Sequence, residues 1–335
     1  MKSSFVTPLF EKFAKEQGIE MLVEPMYRFV AQLVFPSGDR RYVSTHIDGV
    51  NGAGATEIAR DKTYALFFLK TMGYSVPEGR AFFSRAYADY LGSDQDSQAA
   101  WSYAQQLGLP IILKPNSKSQ GRGVWKIHSK QEFDASLHDL DKWVDIYRIE
   151  RYCTGRDYRM VIYKGELICA YKRVPLNVCG NGRSNIRELL QEKKMCLDQS
   201  GRQSTLDVHD RRIAWSLSRN MLSFDSILEE GRMFLLLGNA NSSSGGDIRD
   251  VTETIHESFV ACAKKCARDM GLTLCGLDML IDGDGSCVAP STIIEINAGP
   301  GLANYASLGE VQYSRVEALY RTIFDSLILP TTSPQ

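Results

Sequence analysis

Apolar positions over residues 3–17 recur at helical spacing, and the run "IEMLVEP" that follows alternates apolar with polar, so the pattern predicts a helix and then a strand. In "RFVAQLVFPSGDRRYVSTH" two alternating runs flank a Pro-Ser-Gly-Asp turn, which predicts a hairpin. "TEIARDKTYALFFLKTMG" reads as one helix ended by Gly73, and "YSVPEGRAFFS" as the strand after it. Next come a strand "LPIILKP", a loop "NSKSQGRG", a strand "VWKIHS", a helix "KQEFDASLHDLDKW" and a strand "DIYRIERY". From Asp157 the strands lengthen, with "DYRMVIY" and "ELICAYKRV" around the turn "KGE". A helix over 185–194, a polar segment to Leu222, a strand "RMFLLLG" and a Gly/Ser loop "NANSSSGGD" follow. The helix "TIHESFVACAKKCARDMG" then leads into strands "LTLCGLDMLID" and "TIIEIN", and a helix over 311–327 closes the pattern. The sum predicts an α+β protein with a predominantly antiparallel central sheet.

Two of these strands carry polar residues where a buried strand has no use for them. Successive strand residues point to opposite faces. Ile294 and Ile296 therefore face one way while Glu295 and Asn297 project together from the other, about 7 Å apart. In "CGLDMLID", Asp278 alternates against Leu277 and Met279 in the same manner. If the two strands pair, Asp278, Glu295 and Asn297 converge, and such hard oxygen donors suit one or two Mg2+ ions bridging nucleotide phosphates. Lys114 ends an apolar strand ahead of a loop containing Gly121 and Gly123, where backbone N–H groups can approach phosphate oxygens. The order is not that of a P-loop, because no Gly-Lys-Ser/Thr opens a helix. Lys62, taken alone, is a surface lysine at a helix start.

Composition narrows the classes. The 335 residues carry a formal net charge of -1, with 44% hydrophobic and 24% charged residues, an ordinary globular balance that does not favour nucleic acid or an anionic membrane. Eight cysteines are scattered without C-x-x-C spacing, which predicts reduced thiols and a cytoplasmic setting. Charges interrupt every apolar run of the N-terminus, so neither a signal peptide nor a membrane span is expected. No histidine stands in ligand or triad spacing, and no nucleophile elbow occurs.

Taken together, "DK" at 61–62, "ILKP" with its glycine loop, "YRIERYCTGRDYRMVIYKGELICAYKRVP", and "LDMLID" with "IIEINAGPG" resemble the ATP-grasp superfamily of carboxylate-amine ligases. The chain is most similar to the ATP-grasp module of cyanophycin synthetases and of bifunctional glutathione synthetases, over residues 56–301. The resemblance implies a shortened preceding region at 1–55, an ATP-grasp N-terminal part with a glycine-rich lid at 56–153, and a C-terminal part with the metal site at 154–330. It further implies that Lys62 and Lys114 bind phosphates, with the Gly121 and Gly123 loop as a lid. The backbone of Glu150, Arg151 and Tyr152 would pair with adenine, and Asp157 would sit near ribose. Asp278, Glu295 and Asn297 would hold Mg2+, two ions with Mn2+ able to stand in. Arg173, and as a second candidate Arg159, would face the transferring phosphate and the acyl intermediate. The loop carrying Asn239, Asn241, Ser244, Gly245 and Gly246 would face substrate. Here it reads "SSSGG", so substrate identity does not carry over. The implied activity is ATP-dependent joining of a carboxylate, from an amino acid or peptide, to an amine through an acyl phosphate, releasing ADP and phosphate. The alternative is a nucleotide-binding regulatory or scaffold protein that keeps the fold without turnover. Small-molecule substrates are the expected partners; the oligomeric state is left open, with packing of the thin N-terminal cap in a homodimer as one arrangement.

Overall fold

The computed structural model describes residues 4–44, 50–118, 121–199, 206–238, 240 and 245–328. Helix α1 (Val6–Glu16) buries Val6, Leu9, Phe10, Phe13 and Ala14, the one face that the i, i+3, i+4 spacing creates. Strands β1 (Glu20–Val23), β2 (Val30–Val34) and β3 (Arg40–Ser44) form an antiparallel sheet, the last two being the expected hairpin.

The expected helix over 56–73 is two helices, α2 (Ala53–Arg60) and α3 (Lys62–Thr71). Asp61 between them is extended (φ -93°, ψ 109°), and its carboxylate accepts from the Tyr64 N–H at 2.9 Å, so it ends one helix while capping the next. This break sets Lys62 at the start of α3. Then follow β4 (Gly79–Phe83), α4 (Arg85–Leu91), α5 (Ser97–Leu107), β5 (Ile111–Pro115), β6 (Trp125–Ile127), α6 (Lys130–Leu140) and β7 (Ile146–Arg151). Their four strands make an antiparallel sheet in the order β4-β7-β5-β6. Helices α4 and α5 stand where the pattern predicts no element.

The C-terminal part contains β8 (Arg156–Tyr163), β9 (Glu166–Val174), β10 (Asn177–Cys179), α7 (Ile186–Gln199), α8 (Arg211–Arg219), β11 (Met233–Leu235) and β12 (Asp247–Asp250). It continues through α9 (Glu257–Asp269), β13 (Leu274–Ile281), β14 (Ser291–Asn297), α10 (Ala303–Ala306) and α11 (Glu310–Ile328). Five strands form an antiparallel sheet in the order β12-β9-β8-β13-β14. Helix α8 lies inside the segment expected to be polar and irregular. None of the helices among the described residues is long and apolar enough to cross a membrane.

Alternation along β8 explains how this sheet is covered. Tyr158, Met160 and Ile162 pack on α9, α2 and α3, in one core with Leu277, Met279 and Phe259. On the other face Val161 and Tyr163 join Tyr171, Phe10, Phe13 and Phe324, so α1, α10 and α11 roof that half of the sheet. Asp157 and Arg159 continue the same face past the roof, where it is open to a cavity. A third core, from Phe82 to Ile149, belongs to the four-stranded sheet. A fourth joins β10, β11, α7 and α8. Residues Ala59 to Leu69 of the segment 56–153 thus share the core of the five-stranded sheet, because α3 turns Ala65, Leu66 and Leu69 toward it.

Candidate active site

One row of side chains crosses the open face of the five-stranded sheet. Tyr171 pairs in register with Arg159, Arg159 with Asp278, and Asp278 with Glu295. A bulge at Ile294 keeps Glu295 and Asn297 in phase with Asp278 and Gly276, so the three expected oxygen donors share a face. Gly276 has no side chain because Pro300 of the Gly-Pro-Gly turn closes over it: a Cβ there would lie 2.9 Å from the Pro300 Cβ.

Asp278 is 1% exposed and fully engaged. Arg159 donates through Nε to Oδ1 at 2.5 Å and through Nη2 to Oδ2 at 2.7 Å, and Arg173 Nη2 lies 2.8 Å from Oδ2. Arg173 also donates through Nε and Nη2 to Asp157 Oδ1, at 2.9 and 2.7 Å. Burial pushes Asp278 upward, yet the two guanidiniums outweigh it and hold the carboxyl below the usual carboxylate range. Asp157 is different: burial outweighs the pull of Arg173, Asp278 adds to the push, and its pKa rises to about 6.

The opposite wall comes from α3 and the four-stranded sheet. Ile111 and Leu113 enter the core, so Lys114 emerges on the other face of β5, beside Arg148 and Glu150 of β7. Lys114 Nζ is 2.6 Å from Glu150 Oε1, and Arg148 Nε donates to Glu150 Oε2 at 3.0 Å. Lys62 reaches both parts: its Nζ donates to the Lys118 carbonyl at 2.7 Å and lies 3.0 Å from Glu295 Oε1. Asn116, 2% exposed, clips this junction. Its carbonyl accepts from the Lys62 N–H at 3.2 Å, its Oδ1 from the Thr63 N–H at 3.1 Å, and its Nδ2 donates to Asp61 at 2.6 Å.

Between the walls is a cavity of about 1280 Å3. Five lysines and seven arginines line it against four carboxylates, Glu150, Asp157, Asp278 and Glu295. All four carboxylates already have cationic partners. The surplus positive charge selects an anionic ligand. Of the expected residues, Lys62, Lys114, Gly121, Glu150, Arg151, Tyr152, Asp157, Arg159, Arg173, Asp278, Glu295 and Asn297 line this cavity.

Other expectations are placed differently. Gly123 does not line the cavity; at φ +73° it packs so closely that a Cβ would lie 2.7 Å from Leu140 Cδ2. Its glycine serves packing and backbone conformation. Gly245 and Gly246 are buried away from the cavity, while Ala240 of the same loop lines it. Asn239, Asn241 and Ser244 lie outside the described residues. The Glu150 side chain is spent on Lys114 and Arg148, and the Arg151 N–H on the Glu78 carbonyl at 2.8 Å.

Of the three expected donors, Asp278 is spent on Arg159 and Arg173, whereas Glu295 and Asn297 fit a hard cation held jointly with a ligand. Asn297 Nδ2 is buried without a hydrogen-bond partner, and rotating the carboxamide by 180° brings Oδ1 to that place. Glu295 pairs with Lys62 through Oε1 at 3.0 Å. Among the described residues no group of three or more His, Cys, Asp or Glu side chains could hold a metal by itself. Phosphate oxygens completing the shell would supply what the protein lacks.

No family model matches the chain. It is 31% identical over 289 residues to a cyanophycin synthetase of Geminocystis herdmanii, covering 82% of this chain and 31% of that protein. It is 32% identical over 254 residues to a glutathione biosynthesis bifunctional protein of Streptococcus mutans, covering 70% of this chain and 31% of that protein. The crystal structure of a bifunctional glutathione synthetase from Pasteurella multocida matches with a TM-score of 0.58 at 22% identity, over 96% of this chain and 44% of that one. The chain has the ATP-grasp fold. It spans about a third of the length of the curated relatives it matches.

Sequence reading of this ATP-grasp chain missed part of the wall. Trp215, Ser216, Arg219 and Asn220 of the α8 region line the cavity, and the Trp215 ring lies 5.4 Å from that of Trp125. Arg212 braces the ATP-grasp glycine loop, donating through Nη1 to the carbonyls of Gly121 at 3.4 Å and Val124 at 2.9 Å, while Asp210 grips its other edge. The signal was present: Asp210 is an N-cap, and Ile213 and Leu217 are four apart.

Proposed function

We propose that this chain is an ATP-dependent ligase that joins a carboxylate to an amine through an acyl phosphate and releases ADP and phosphate. The observation that carries this reading is the meeting of Lys62 and Lys114 with Arg159, Arg173, Asp278 and Glu295 around one cavity. On this reading the two gripping parts meet at the turn between β7 and β8, near the expected boundary at 153/154.

A free carboxylate is a poor acyl donor because oxide would have to leave. Transfer of the γ-phosphoryl group to one carboxylate oxygen forms an O–P bond, breaks the bond to the β–γ bridging oxygen, and turns the carboxyl into a competent acyl group. Lys62 and Lys114 bind phosphate oxygens and oppose the spreading negative charge. Glu295 and Asn297 would hold Mg2+, which supplies further neutralisation of phosphate charge when bound, while Asp278 stays paired with Arg159 and Arg173. A neutral amine then attacks the carbonyl carbon, Arg173 and Arg159 stabilise the oxyanion, and the C–O bond to phosphate breaks as the amine's proton passes to the departing phosphate or to water. Asp157 and Asp278 hold both guanidiniums in place. The glycine loop, braced by Arg212, shields the acyl phosphate from water. Amino acids or peptides are the substrates that fit this reading.

The test is ADP release from Mg-ATP with pooled amino acids and dipeptides. ADP formed only when carboxylate, amine and Mg2+ are all present supports the ligase. ATP binding with no ADP release across a broad pool would overturn it in favour of a nucleotide-binding regulator.

A further inference from the structure

The N-terminal sheet is packed on one face only. Ala31, Leu33 and Val43 enter the core, whereas the other face presents Leu22, Val30 and Tyr42 with 63, 49 and 78% of their surface exposed. Strand register orders this outer face into rows across the three strands: Glu20, Val34 and Arg40 form one, and Leu22, Gln32 and Tyr42 the next. Each row is asymmetric, with the acid or the aliphatic on β1 and the base or the aromatic on β3. Neither Glu20 nor Arg40 makes an ion pair with a described residue, and both are exposed.

We propose that this face is the interface of an isologous dimer, and that its occupant is a second copy of this chain related by a two-fold axis parallel to β2. Such an axis lays β1 of one copy over β3 of the other and β2 over β2. Every Glu20 then faces an Arg40, every Leu22 faces a Tyr42, and Val34 and Val30 meet their own copies. Packed sheets lie about 10 Å apart, a gap that facing side chains fill. Charge reversed across the sheet is self-complementary under a two-fold, with Val30, Gln32 and Val34 of the middle strand each meeting its own copy. A partner of one charge sign would leave either Glu20 or Arg40 facing its like. The proposal is independent of the ligase reading, and none of these residues lines the cavity.

Sedimentation velocity of the full chain over a micromolar concentration series tests it. The wild type is expected to dimerise, and Glu20→Arg or Arg40→Glu alone to raise the dissociation constant about tenfold or more, since like charges then face each other. The double variant Glu20→Arg with Arg40→Glu restores the facing pairs and is expected to regain the wild-type constant. Tyr42→Glu, read alongside as an independent variant, removes the aromatic contact and is expected to yield monomer. A monomeric wild type, single reversals without effect, or a double variant no better than the singles would each overturn the proposal.

Discussion

At the scale of single residues, Glu295 is the carboxylate that pairs with Lys62 across the cavity at 3.0 Å, and the proposed chemistry assigns it to the metal. Glu295→Gln keeps the volume and removes the charge. The expected outcome is a loss of turnover of about a hundredfold or more with the fold intact, measured as ADP release beside a melting curve. A near-normal rate would remove Glu295 from the chemistry. Thiol reactivity separates a different set of residues. Burial pushes the Cys275 thiol up to about 12 and raises Cys169 and Cys266 as well, whereas Cys179, Cys196 and Cys287 are exposed. The thiolate is the nucleophile, so a raised pKa lowers the reactive fraction at any pH below it. At pH 8, iodoacetamide is expected to label the three exposed cysteines in the native protein and to reach the three buried ones only after denaturation, as read by peptide mass spectrometry. Labelling of Cys275 in the folded protein would contradict its burial.

At the scale of elements, what the sequence revealed depended on whether the signal was local. Strand β13 was legible because Asp278 alternates out of phase with Leu277 and Met279, a two-residue pattern, whereas in β14 the bulge breaks the alternation: Ile293 rather than Ile294 enters the core with Ile296, and Ile294 lines the cavity. The division of the helix at Asp61 was not, since half of its cause is Asn116, which comes from another element and bonds Asp61 across the fold. Helix α8 was hidden by its polar surface; its Ile213 and Leu217 are buried, and its polar residues contact the glycine loop. This contact is testable. Arg212→Ala is expected to raise amide hydrogen exchange over 121–124 and to weaken ATP binding severalfold, because two carbonyls of the loop lose their donor. Arg212→Lys retains charge but loses the planar fork, and is expected to recover only part of the protection. Unchanged exchange in both variants would show that the loop holds itself.

At the scale of the whole molecule, the two sheets were visible as separate strand patterns, but their facing one another was not, since no local pattern records which surfaces close a cavity. The outcome of that closure decides where a bound nucleotide would be cut. Lys62 pairs with Glu295 and donates to the Lys118 carbonyl of the glycine loop, and Lys114 pairs with Glu150, which Arg148, Thr63 and Asn116 link to the same junction. Cations concentrated at one end of a triphosphate favour attack at its γ-phosphorus, whereas an adenylating enzyme attacks the α-phosphorus and releases pyrophosphate. The two routes move oxygen differently. With a carboxylate substrate labelled with 18O at both oxygens, attack on γ forms the acyl phosphate through a labelled oxygen, and displacement by the amine leaves that oxygen in inorganic phosphate. Attack on α leaves it in AMP. The expected result is a two-mass-unit shift in phosphate, with ADP unlabelled and no pyrophosphate. Label in AMP would overturn the acyl-phosphate route while leaving the ATP-grasp fold as it stands.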